Sequence, residues 1–103
     1  MSKQDKAIDR AMNFVQKALT ELENEIQRHH AGEEKYGTST QLGMFKKTLE
    51  NMRDELQSNN VSFACGGMGR IIADSWPFDS ELGKFLLQAE QSYFAIRETK
   101  LAK

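Results

Sequence analysis

Three separate runs of apolar residues recur every three or four positions, and a helical fold is what gathers them. In the first, Ile8, Met12, Val15, Leu19, Leu22 and Ile26 are spaced four, three, four, three, four. That spacing places all six on one stripe of an α-helix, whereas the alternation of a strand would divide them between two faces. Ala11 and Ala18 widen the stripe with small side chains that let a second helix come close. In the second run, Leu42, Phe45, Leu49, Met52 and Leu56 are spaced three, four, three, four. In the third, Leu82, Leu86, Ala89, Tyr93 and Ile96 are spaced four, three, four, three, with Phe85 and Phe94 at the flanks.

The residues between the runs agree with this division. Ser2 with Asp5 fits a capping box and predicts a helix start near Lys3, and Gly32 is a stop signal. Thr38 with Gln41 has the same capping-box spacing, and Ser58-Asn59-Asn60 closes the second run. Asp79 or Ser80 can cap the third. The short polar connector from Ala31 to Gly37 makes the first two helices antiparallel neighbours.

Val61 to Phe78 carries no such stripe. Gly66-Gly67-Met68-Gly69 is its most flexible part. Arg70 to Trp76 suits a short helix, with Arg70 and Asp74 spaced to pair, and Pro77 cannot continue it. Three long amphipathic helices need one another to leave water. The sequence therefore predicts an all-α fold, an antiparallel three-helix bundle with an additional short helix in the linker between the second and third long helices. At 103 residues, a single domain spanning 1–103 is expected.

Thr40-Gln41-Leu42-Gly43-Met44-Phe45 echoes Ser80-Glu81-Leu82-Gly83-Lys84-Phe85. The likeness fades after one turn, which favours shared helix-start chemistry over a duplicated hairpin. Glycine inside a helix costs about 1 kcal/mol against alanine, so both glycines ask for a close neighbour.

Charge and cysteine usage narrow the function. With 14 Lys plus Arg against 15 Asp plus Glu, the chain lacks the basic excess of a protein that coats nucleic acid or an anionic membrane. No apolar run approaches the length of a membrane span, and Met1 to Lys6 has no apolar core of the kind a secretory signal needs. The single cysteine, Cys65, excludes an intrachain disulfide and suits a reducing, cytoplasmic setting.

No catalytic or metal constellation assembles from spacing. Glu25 and His29 share a helix face, but the Glu-x-x-His pattern of di-metal bundles is absent, because Ile26 and Gln27 stand three residues before His29 and His30. Gly66 to Arg70 could cradle a phosphate but has neither the P-loop ending nor the dinucleotide fingerprint, and a turn is the simpler reading. No metal and no cofactor are expected. Charge is blocked along the chain: residues 21–34 hold five acids and one base, and residues 35–53 four bases and one acid. An antiparallel hairpin would bring Glu21, Glu23 and Glu25 near Lys46 and Lys47.

By elimination the chain reads as a small protein-binding module, an immunity- or inhibitor-type partner or a regulatory one, rather than an enzyme. The expected partner-binding residues are Arg70, Asp74, Trp76 and Phe78 in the linker segment, with an acidic patch at Glu21, Glu25 and Glu33. Charge around an aromatic anchor is the usual anatomy of such a surface, with the rival reading that Trp76 is core. The alternative function is a small-ligand binder or enzyme centred on Cys65, Arg70 and Asp74. Nucleic-acid binding through Lys46, Lys47 and Arg53 ranks last, because the flanking blocks are acidic. A homodimer is also expected, from the length of the first stripe and from Phe14 lying off it.

Overall fold

The computed structural model describes residues 3–33, 37–63, 66–77 and 80–101. Among these residues it is all-helical, with four helices packed together: α1 (Lys3–His30), α2 (Ser39–Ser58), α3 (Met68–Ser75) and α4 (Glu81–Leu101). The long helix α1 packs along both α2 and α4, and α3 packs on α4. The molecule is 48 Å in its longest dimension, close to the roughly 42 Å that the rise of a 28-residue helix contributes. No helix among the described residues is long and apolar enough to cross a membrane.

Local chemistry stops α1 and α2 and starts α2 and α4. At the end of α1, Gly32 takes φ +78°, and the amides of Gly32 and Glu33 return to the carbonyls of His29 and Arg28. This is the Schellman arrangement, which needs a left-handed residue and so favours glycine. Asn59 does the same for α2 at φ 57°, with the Asn60 amide reaching the Glu55 carbonyl. The capping box at the start of α2 is present: Gln41 N–H donates to Thr38 Oγ1 at 3.1 Å, and Thr38 N–H donates to Gln41 Oε1 at 3.2 Å. Ser80 opens α4, its hydroxyl oxygen accepting from Gly83 N–H at 3.1 Å. The proposed cap at Ser2 lies outside the described residues.

The stripes of α2 and α4 are buried as the spacing predicts, every member from Leu42 to Leu56 and from Leu82 to Ile96. The seam of α1 is displaced by part of a turn. Its buried line is Ile8, Ala11, Val15, Ala18, Leu22 and Glu25, while Met12, Leu19 and Ile26 are only partly buried on one flank. Alanines at the centre let α1 sit close to two helices at once, and the larger residues close the side.

Two polar clusters tie the elements together. Lys46 Nζ of α2 meets Glu23 Oε1 of α1 at 2.7 Å, the neighbour relation that the charge blocks implied. Hydrogen bonding to Glu23, then its charge, holds the Lys46 ammonium above the ordinary lysine value. Near the other end, Glu55 of α2 accepts from Ser62 N–H and Oγ–H at 2.9 and 2.8 Å, and from the Tyr93 hydroxyl of α4 at 2.6 Å. Phe63, at the rare φ of 61°, is held there against the rings of Tyr93 and Phe94.

Candidate functional site

The segment after α2 forms a small superstructure on α4. Gly67 adopts φ +95° and no side chain of its own segment caps α3. The cap comes instead from α4: Glu90 Oε1 accepts from Met68 N–H at 3.0 Å and Oε2 from Gly69 N–H at 3.1 Å. A carboxylate at a helix N-terminus satisfies orphan amides and complements the dipole. Glycine suits this approach, because a Cβ on Gly69 would come within 2.7 Å of Glu90 Oε2 and displace that carboxylate, and one on Gly66 would crowd the Phe94 ring at 3.0 Å. The amides that could have cradled a phosphate therefore hold the protein's own anion.

Met68 and Ile72 are buried under α3, while Arg70, Ala73 and Asp74 face outward. The i,i+4 pairing of Arg70 with Asp74 does not form: among the described residues no ion pair joins them. The order is the weaker one for a helix pair, the base preceding the acid. Trp76 ends the helix in an extended conformation and is 6% exposed. Its indole N–H donates to Gln41 Oε1 at 3.0 Å, and its ring lies 5.6 Å from that of Phe45. It is thus a core residue joining the end of α3 to the start of α2, too little exposed to project into a partner as an anchor. Phe78 and Cys65 lie outside the described residues.

Between α3 and the first turns of α4 is a cleft of about 220 Å³, its apolar walls made chiefly by Ile72, Ala73, Trp76, Pro77 and Leu87. Gly83 forms part of the floor, where a Cβ would clash with the Ser80 hydroxyl and crowd Ile72 at 3.2 Å. The exposed Lys84 closes one side, and Arg70 and Asp74 stand on the adjoining helix. The volume is below the roughly 300–1,000 Å³ of most small-molecule pockets. Its scale and its apolar lining suit a side chain presented by another protein.

The acidic patch is not assembled as the sequence suggested. Glu25 is fully buried, with Arg28 Nε donating to its Oε1 at 2.8 Å and His29 Nε2 lying 3.1 Å from its Oε2. Only Glu21, partly buried, and Glu33, exposed beyond the end of α1, remain on the surface side, roughly three helical turns apart. The signal for this was present in the chain: Glu25 continues the four-three register of Leu22 and Ala18, with Arg28 and His29 three and four residues on. Among the described residues, no three His, Cys, Asp or Glu side chains are placed to hold a metal ion.

Comparison with protein families and with curated proteins finds no matching family model and no similar protein.

Proposed function

We propose that this chain is a protein-binding module, of the inhibitor, immunity or regulatory kind, that works in the cytoplasm and presents α3 and its cleft to a partner protein. The observation that carries the reading is the cleft itself, an apolar recess walled by Trp76 and lined on one side by Lys84, with Arg70 and Asp74 exposed elsewhere on α3. An apolar side chain seated in a recess, with charge at the rim, is how small interfaces concentrate affinity. Trp76 on this reading is the wall that receives an anchor.

The scaffold is proposed to be an antiparallel three-helix bundle of α1, α2 and α4 carrying α3 as an accessory. Lys17 lies over Phe85 near the start of α4, while Lys6 and Arg10 share a groove with Ser92 and Ala95 further along it, which supports opposed directions for α1 and α4. Self-association finds less support. The seam from Ile8 to Glu25 is buried within one chain, so a homodimer would have to use another face.

The test is Ala73→Arg, which places a bulky cation at the mouth of the cleft on an exposed helical position. Both proteins are used as bait in lysate of the native host, with mass spectrometry of what is retained. The expected result is a partner that wild type retains and Ala73→Arg loses by tenfold or more, with unchanged circular dichroism and melting. A partner retained equally by both would move the site off α3.

A further inference from the structure

We infer that the groove between α1 and α4 is a second binding surface, and that it takes an acidic amphipathic helix of another protein. The groove encloses about 520 Å³ and is lined on α1 by Lys6, Ala7, Arg10 and Phe14, and on α4 chiefly by Gln91 and Ala95. From Lys6 to Phe14 it follows α1 for about 12 Å, more than two turns. Small residues on both walls let a backbone come close, as helix packing at 8–10 Å between axes requires. Phe14, partly buried, gives the groove an apolar floor. Glutamine amides supply donors and acceptors beside it.

Charge complementarity sets the chemistry of the occupant. Among the described residues, the two charged members of the lining are both basic, and Lys6 and Arg10 stand one turn apart on one helix. The Arg10 guanidinium lies 5.7 Å from the centroid of Phe14, and Lys17 continues the line with its ammonium 5.2 Å from that of Phe85. Among the described residues, no carboxylate lines the groove. A helix with carboxylates along its flanks and leucine or phenylalanine at i, i+3, i+4 and i+7 matches cationic rim and apolar floor together. A second copy of this chain matches poorly. Its one exposed large hydrophobic residue among those described is Met44, with Lys47 a turn further along the same helix, which would set cation against cation.

The probe is a phage-displayed library of 18-residue helical peptides with one randomised face, selected on the full chain. Selected peptides rich in Asp and Glu beside apolar i, i+3, i+4, i+7 positions, shifting the amide resonances of Ala7, Phe14 and Ala95, are the expected result. Affinity should fall tenfold or more in the double variant Lys6→Glu/Arg10→Glu, whose exposed positions leave melting unchanged, and should fall with added salt. Basic or neutral peptides, binding unaffected by the charge reversal, or shifts confined to α3 would overturn the inference. So would tighter binding of a single-stranded oligonucleotide or of anionic vesicles than of any selected peptide. Ala73→Arg blocks the α3 cleft and not this groove, so each surface can fail alone.

Discussion

Trp76 shows how a single residue changes its meaning with its partner. From the chain alone it is an aromatic next to a proline, flanked by charge, and equally suited to surface or core. Its environment is decided by Gln41, 35 residues earlier, whose side-chain oxygen receives both the Thr38 amide and the indole N–H. No local signal encodes that meeting. Gly37 is part of the same contact, since a Cβ there would come within 2.6 Å of the indole. Trp76→Ala is therefore expected to destabilise the protein by about 3–5 kcal/mol. Trp76→Phe keeps most of the burial, gives up the hydrogen bond of about 0.5–1.5 kcal/mol and a smaller volume, and should lie between. Urea unfolding reads both, as a lowered midpoint at constant slope. Glu25 departs from the expected surface patch for a related reason: its position on the seam and its pairing with Arg28 and His29, rather than its charge alone, decide where it sits.

At the level of elements, α2 and α4 were legible because their buried faces are made of large apolar residues at the spacing that defines a stripe. The face of α1 was legible only to within part of a turn. Its centre is held by Ala11, Ala18 and Glu25, residues of low or negative hydropathy, so the pattern leaned towards Met12, Leu19 and Ile26 on the flank. The matching glycines separate in the same way. Gly83 is crowded by Ser80 and Ile72, whereas a Cβ on Gly43 would meet nothing within 4 Å. Gly43→Ala is expected to stabilise by about 0.5–1 kcal/mol, since only the helix propensity changes. Gly83→Ala should destabilise despite the same gain in propensity. Thermal unfolding of the pair settles the point by the opposite signs of the two shifts.

For the whole molecule, stability rests on α1 lying against two helices at once, and the alanine seam is what permits it. Ala18→Leu adds apolar surface yet should cost about 1–3 kcal/mol, because a fully buried position with helices on both sides has no room to give. A rise in melting temperature for that variant would show the seam to be looser than described. The dependence of α3 on Glu90 has a consequence for how the chain is made. Synthesis runs from the N-terminus, and the carboxylate that completes the first turn of α3 follows it by 22 and 21 residues, with most of α4 still to come. On the ribosome, α1 and α2 can pair while α3 stays unformed. The recess beside Trp76 comes into being last, once α4 has emerged, so a nascent chain still lacking α4 would hold only the α1–α2 pair, without the feature proposed to engage a partner.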